Sequence, residues 1–356
     1  MKDMASSAGF LENMVSLFEL HVSLPNVVEA AAWAFSSLTT RRDISEALGK
    51  RAEFLEMLVL AMKRQAVASE SSSSFLLATV RNMCLGNVEV ATAFGSMDGG
   101  AAIVLCLRAH IDSSDNCEKG AGAMRSLAEG NATNKEKLAK AGALEAIHEI
   151  LSVFASDPAV CRQALGVIIG MASITEHRLS FGAKGGCATV ARVFSQYKTS
   201  DAIVAEKACG AIRNLSFACS VNKIALGACK AVTNLVVAVR AHVNNAPLVE
   251  QALGAIRNMC VGCESNRRQF AACEGLEMLI AMLLRYPTNA DISEQTCGAI
   301  MAVASFDPAN KEKLRILGVK ALLKSLPIAE NVMLIEALKS VKGGPGKTST
   351  LGSWFS

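Results

Sequence analysis

The sequence is poor in the residues that build β-sheets and rigid turns. Only 5% of the residues are aromatic and only seven are prolines. The alternation of β-branched and polar residues that marks sandwiches and barrels is absent. Alanine, leucine and valine dominate, and 51% of the residues are hydrophobic, which is enough apolar surface for a large core in a chain of 356 residues. We therefore predict an all-α protein with an aliphatic core.

The chain also lacks a strong excess of one charge and a long apolar run. Its 36 basic and 32 acidic residues leave a net charge of +4, too little to predict nucleic-acid binding on its own. The longest apolar run, around residues 164–174, is about half of the roughly 20 residues that a bilayer requires. We predict no membrane insertion.

One six-residue phrase returns along the chain at a constant interval. Its clearest copy is Gly210-Ala-Ile-Arg-Asn-Leu215, and the others begin at Ala78, Gly122, Gly166, Gly254 and Gly298, so each interval is 44 residues. An earlier copy begins at Trp33. A period of this length predicts stacked helical modules, because one module cannot bury its apolar face alone.

Each module reads as three helices. The phrase lies in a long helix, and twelve residues after its start an asparagine precedes a second, short helix; these residues are Asn134, Asn222, Asn266 and Asn310. We predict that they are N-caps, because an asparagine side chain accepts backbone N–H groups well. A turn near glycines 142, 186, 275 and 318 then precedes an apolar stripe typical of a third, medium helix.

The period, the three-helix module and the phrase resemble armadillo repeats, the family that includes beta-catenin and importin-alpha. The resemblance covers the chain from about Gly9 to about Val341. It implies a right-handed superhelical solenoid of about seven to eight three-helix repeats. We expect one domain over residues 1–341, which begins with a partial cap repeat over residues 1–26, and a disordered tail over residues 342–356.

In armadillo proteins the long helix lines a concave groove, so the resemblance implies where a partner would bind. The implied residues are Trp33, Arg81, Asn82, Arg125, Ser126, Arg213, Asn214, Arg257 and Asn258. Four residues before the phrase lie Glu118, Glu206, Glu250 and Glu294, which would add an acidic rim opposite the basic one. For these glutamates, a role in complementing the helix dipole is an equally open interpretation. Because only Trp33 fills a place where importin-alpha repeats tryptophan, lysine-rich signals are not expected ligands.

We predict a scaffold or adaptor that holds an extended segment of a partner protein. Asparagine amides can bond a peptide backbone, and the arginines favour acidic or phosphorylated positions. Two alternatives stay open at this point. The same arginines could bind nucleic acid or another acidic ligand, or the chain could be a structural subunit of a cytoskeletal or ciliary assembly that uses its convex face or its ends.

No pattern in the sequence predicts catalysis, a metal or a cofactor. Cys260 and Cys263 form a lone Cys-x-x-Cys pair, the five histidines have no partner at ligand spacing, and Gly346-Lys347-Thr348 lacks the earlier glycine of a phosphate loop. We read the twelve cysteines as reduced core residues and find no signal peptide. We therefore expect a cytoplasmic protein, with nuclear or cytoskeleton-associated location as alternatives.

The glycines at the phrase starts lie inside a predicted helix, where glycine costs roughly 1 kcal/mol of stability relative to alanine. Two reasons could explain why they recur, close packing of neighbouring long helices or space for a ligand side chain, and we prefer close packing.

The stretch from Ser69 to Ser74 is predicted to be a solvated loop, with phosphorylation as a minor alternative.

Overall fold

The structure is a computed structural model that describes residues 8–65, 68–326, 336–337 and 339–341. Within these residues the chain forms 22 α-helices and no strand. The all-α prediction is confirmed. The predicted tail, residues 342–356, lies outside the described residues.

The helices follow a fixed order of long, short and medium after the first helix, α1 (Ala8–Leu20). The long helices are α2 (Pro25–Leu38), α5 (Glu70–Cys84), α8 (Ser114–Ala128), α11 (Pro158–Met171), α14 (Ala202–Ser216), α17 (Ala246–Cys260) and α20 (Ala290–Ala304). The short helices are α3 (Arg42–Gly49), α6 (Val88–Ser96), α9 (Ala132–Lys140), α12 (Thr175–Ala183), α15 (Ser220–Ala228), α18 (Glu264–Ala272) and α21 (Pro308–Ile316). The medium helices are α4 (Ala52–Gln65), α7 (Gly99–Ala109), α10 (Ala143–Val153), α13 (Gly186–Tyr197), α16 (Ala231–Ala241), α19 (Gly275–Arg285) and α22 (Val319–Ser325).

The chain divides into two compact units after His177. In the first unit the long helices α2, α5, α8 and α11 pack side by side in chain order, and in the second α14, α17 and α20 do the same. The core is aliphatic apart from a few phenylalanines. Three of these, Phe18, Phe35 and Phe54, form a cluster with ring centroids 4.8 to 6.2 Å apart and hold α1 and α4 against α2.

Local sequence explains where the helices start. From α5 onward every long helix begins at a side-chain cap, and these caps are Ser69, Ser113, Asp157, Asp201, Asn245 and Asn289. A residue in the left-handed conformation precedes each medium helix from α7 on, as at Gly142 and Gly318. At two turns the prediction was one residue late: Gly185 and Glu274 hold the turn, whereas Gly186 and Gly275 are the first helical residues. The latter two leave room for the rings of Phe181 and Phe270.

The asparagines near the short helices do not cap those helices, so that prediction was wrong. Asn222 is 1% exposed and its Nδ2 donates to the carbonyls of Leu215 and Arg178, at 3.0 and 3.1 Å. Leu215 lies in the last turn of α14, where carbonyls have no helical partner, and Arg178 lies in the short helix of the preceding repeat. Asn134 and Asn266 make the corresponding pairs of bonds. Each of these three asparagines therefore bonds the end of a long helix and joins two repeats.

The serine-rich stretch is a helix start, not a solvated loop. Ser69 caps α5, and Ser72, Ser73 and Ser74 are buried. The hydroxyl of Ser73 donates to Oδ1 of Asn116 at 2.8 Å, and that of Ser74 donates to Asp115 in the next long helix. The hydroxyls thus bond to neighbouring repeats, which is why a polar run is buried here.

The first unit should lose stability at acid pH because two of its carboxylates, Asp115 and Asp157, become protonated. Burial opposes ionisation of Asp115 and Asp157, but hydrogen bonds from Lys119, Ser74 and Ser114 outweigh it and lower the pKa of each below its ordinary value of 3.8. A lowered pKa stabilises the fold above the ordinary value, and that contribution is lost as the pH falls through the folded value. We expect the urea midpoint to fall between about pH 5 and about pH 2.5. Asp157→Asn keeps a capping side chain but removes the charge, and should make the fall smaller; an equal fall in both proteins would contradict this assignment.

Candidate functional site

The long helices present the predicted partner-binding residues on one face in each unit. The arginines and asparagines of the phrase, and the glutamates four residues before it, are half-buried. Trp33 on α2 is 50% exposed. Ser126 is different, because it is 1% exposed. A serine is too short to reach the surface from that position, so its prediction as a contact residue was wrong.

The arginines and glutamates form ion pairs across neighbouring long helices. Nη1 of Arg81 lies 3.5 Å from Oε1 of Glu118, and Nη1 of Arg213 lies 3.7 Å from Oε1 of Glu250. Burial lowers the pKa of Arg257, and the charge of Glu294 opposes that effect. The acidic and basic residues therefore meet along one row, and the predicted separate rims are corrected.

The phrase-start glycines make room for these arginines. A Cβ at Gly122 would lie 2.8 Å from Cδ of Arg81, and a Cβ at Gly254 would lie 2.7 Å from Nε of Arg213. Gly298 stands against Arg257 in the same way. The glycines are therefore explained by packing between long helices, as predicted. The group that packs on each glycine is the arginine side chain of the preceding repeat. We call one arginine, the glycine beneath it and the glutamate it reaches a rung.

The asparagines of the phrase are partly committed to the fold. Nδ2 of Asn82 donates to the Ser36 carbonyl at 3.1 Å and to the Thr39 hydroxyl at 3.3 Å, both in the preceding repeat. Nδ2 of Asn258 donates to the Arg213 carbonyl at 2.9 Å. Asn214 occupies the same position on α14. What Asn82 and Asn258 can still offer a ligand is the amide oxygen and, for Asn258, a second N–H.

The row changes at α11. Sequence reasoning finds the loss of the arginine at Ile169 and of the asparagine at Gly170, but it did not single out Arg162. Arg162 stands where the other rungs have glutamate, Gln163 follows it, and Ile169 stands where they have arginine. On α14, Glu206 pairs with its neighbour Lys207 at 3.0 Å. Aligning the residues four before each phrase start would have revealed the exchange at Arg162, because its charge is opposite to that of every other member of the glutamate row.

The cysteines are free thiols in the structure, and ten of the twelve are buried. Burial raises the pKa of Cys84, Cys106, Cys187 and Cys297 to about 12, so these thiols stay protonated. Over the described ranges, no group of three or more His, Cys, Asp or Glu side chains is arranged to hold a metal ion.

No single helix among those described is both long and apolar enough to cross a membrane. Two pairs of consecutive helices, α6 with α7 and α15 with α16, reach the required length and apolar composition when the two helices are counted together. The axes of the two helices differ by 81° in the first pair and by 70° in the second.

Comparison with known proteins finds similarity in structure. No protein-family model and no curated protein matches the sequence. An engineered protein of known structure is 17% identical with a TM-score of 0.66, over 92% of this chain and 87% of its own. A designed armadillo repeat protein in complex with the peptide (KR)4 is 19% identical with a TM-score of 0.58, over 70% of this chain and 99% of its own.

A third similar structure comes from work on a conserved phosphorylation switch that controls the interaction between cadherin and beta-catenin. It is 15% identical with a TM-score of 0.68, over 92% of this chain and 68% of its own. Similarity at such low identity establishes the fold and leaves the function to the residues of this chain.

Proposed function

We propose that this chain, whose fold is that of an armadillo repeat solenoid, is a non-catalytic scaffold or adaptor that binds an extended segment of a partner protein on its long-helix face. The observation that carries the proposal is the regular spacing of half-buried arginine and asparagine side chains along consecutive long helices, as at Arg213, Asn214, Arg257 and Asn258. An extended peptide presents backbone groups at regular intervals, which repeated amides can bond. We expect the protein to act in the cytoplasm.

The chemistry of the face argues against a simple basic or acidic ligand. Each complete rung joins one positive and one negative charge, so most of the row is close to neutral. The designed protein that binds (KR)4 has the same fold, but the rungs here place arginine in the row, and among the phrase starts only Trp33 offers an indole. Affinity along the complete rungs should therefore come mainly from bonds to the peptide backbone, with acidic or phosphorylated positions favoured where a guanidinium group is available.

Pairing with glutamate also disfavours nucleic acid. A phosphate backbone that approached Arg81 or Arg213 would meet the carboxylates of Glu118 and Glu250 as well. Retention on generic RNA or DNA at low salt should be weak. Strong retention that falls steeply with salt would instead favour the nucleic-acid alternative.

The proposal is tested by removing two arginines from the long-helix face of the second unit. The double substitution Arg213→Ala and Arg257→Ala should reduce capture of bound proteins from a cell lysate by roughly tenfold, because the guanidinium donors to the backbone carbonyls of the partner segment are lost. Helicity measured by circular dichroism should not change, because partly exposed ion pairs contribute little to stability.

The matched control removes two arginines from short helices. Arg268 and Arg315 are exposed, and each pairs only with a glutamate of its own helix in the described part of the chain. The double substitution Arg268→Ala and Arg315→Ala should leave capture unchanged. Equal capture by the two double variants would contradict the proposal that the partner binds on the long-helix face.

A further inference from the structure

The row of rungs is interrupted between α8 and α11 in the first unit. In the complete rungs an arginine reaches a glutamate of the next long helix, as Arg81 reaches Glu118. Arg125 is the next arginine of the row, and the residue in the place of that glutamate is Arg162. Two arginines therefore stand where every complete rung has one arginine and one glutamate.

Contacts of Arg125 place its guanidinium group beside Arg162. The stem of Arg125 crosses Gly166, where a Cβ would lie 2.6 Å from its Cδ. Its Nε then donates to Oε1 of Gln163 at 3.1 Å. Because Gln163 directly follows Arg162 and Gly166 lies one helical turn beyond it, Arg125 and Arg162 occupy the same patch of surface.

Neither arginine is neutralised by an ion pair within the described part of the chain. Arg162 interacts electrostatically with Asp157 but makes no ion pair with it, and the Asp157 carboxylate accepts the Ser114 hydroxyl and the N–H groups of Ala159 and Val160. Gln163 is uncharged. The two guanidinium groups therefore have no carboxylate in ion-pair contact among the described residues, whereas the complete rungs place one there.

The surface of α11 beyond Gly166 is open. Ile169 replaces the arginine that the phrase has elsewhere, and Gly170 replaces its asparagine. No atom lies within 4 Å of a Cβ built at Gly170. The turn of α11 that follows Gly166 therefore carries neither the arginine nor the asparagine of the phrase, which leaves open surface at Gly170 for the rest of the partner segment.

We propose that Arg125 and Arg162 bind the phosphate group of a phosphorylated side chain in the partner segment. A phosphate monoester carries a charge of about −1.5 to −2 at neutral pH and three acceptor oxygens, which matches two guanidinium groups better than a carboxylate does. This inference rests on the proposed function, because the phosphate enters on an extended segment held by the long-helix face. The interruption thus sets the register of the partner along the repeats.

The test measures retention of synthetic peptides by the full chain. Three degenerate peptide libraries differ only at one fixed central residue, which is phosphoserine, serine or glutamate. The unsubstituted protein should retain the phosphoserine library roughly tenfold better than the serine library, with the glutamate library between them. Arg162→Glu should abolish this preference, whereas Arg42→Glu, a charge reversal of an 89% exposed side chain on α3, should keep it.

A second measurement separates loss of the site from loss of the fold. Arg162→Glu gives Arg125 the glutamate that the complete rungs have, so the urea midpoint should rise or stay the same. A lower midpoint with no remaining retention would mean that Arg162→Glu damages the fold. Arg162→Gln, which removes the charge without reversing it, then decides. If this variant is folded and has lost the preference for phosphoserine, the assignment stands, and if it keeps the preference, the assignment is overturned.

The remaining outcomes are decisive as well. Equal retention of the phosphoserine and serine libraries would overturn the phosphate site and leave the proposed function intact. No retention of any library by the folded protein would overturn both. If inorganic phosphate competes as tightly as the phosphoserine library binds, the ligand is a free anion and the assignment to a partner side chain is wrong.

Discussion

Replacing Gly227 by alanine is expected to destabilise the second unit by about 3 kcal/mol, although alanine is the better helix former. A Cβ at Gly227 would lie 2.0 Å from Oδ1 of Asn266, which is fully buried. The asparagine would have to leave its place, and its bonds to the carbonyls of Lys223 and Met259 would break. Urea-induced unfolding followed by circular dichroism would measure the loss.

Two further variants make the prediction specific. In the background of Asn266→Ala the clash is gone, so Gly227→Ala should cost about 2 kcal/mol less than it does alone. Gly170→Ala, at a helical glycine with open space around it, should instead stabilise by about 0.5–1 kcal/mol. Similar effects at Gly227 and Gly170, or the absence of coupling to Asn266, would contradict the proposed contact.

Asn222→Ala should lower the free energy of unfolding by about 3 kcal/mol, because a buried residue with two hydrogen bonds is removed. The carbonyl of Leu215 at the end of α14 would lose its side-chain donor, and the side-chain link from α15 to α12 would be lost. The measurement is again the urea midpoint, with helicity and peptide retention as checks that the variant is folded under native conditions.

Asn310 provides the matched control for this prediction. Its Nδ2 donates to the Val303 carbonyl and to Asp307, both within its own repeat. At the spacing that separates Gly227 from Asn266, the chain has Ala271 before Asn310. Because no link between repeats is lost, Asn310→Ala should cost roughly 1.5 kcal/mol or less. A cost as large as that of Asn222→Ala would show that the link between repeats contributes nothing.

The helical class and the position of the long helices were predictable because they follow from periodicity within the chain. Apolar residues that recur at helical spacing define the buried face, and the phrase at Gly122, Gly210 and Gly254 marks the same place in each long helix. The structure confirms this part, and the similar structures confirm the resemblance as to fold. The roles of the long-helix residues in binding a partner stay predictions.

The contacts of individual side chains were not predictable, because they depend on how one repeat sits on the next. Whether Asn222 caps its own helix or the end of α14 is decided by the turn between the two helices. The pairing of Arg81 with Glu118 and the burial of Ser126 depend on the spacing between long helices. Sequence patterns within one repeat do not reveal the geometry of that turn or the spacing between neighbouring long helices.

The asparagine links also have a consequence for synthesis of the chain. The short helix that contains Ala91 receives its link from Asn134, one repeat later, and the end of α8 receives its cap from the same side chain. A repeat that leaves the ribosome is therefore incomplete until the start of the following short helix has been translated. At about 5–20 residues per second, that delay is on the order of seconds for each repeat. During this interval the carbonyl of Leu127 at the end of α8 and that of Ala91 lack their side-chain donor.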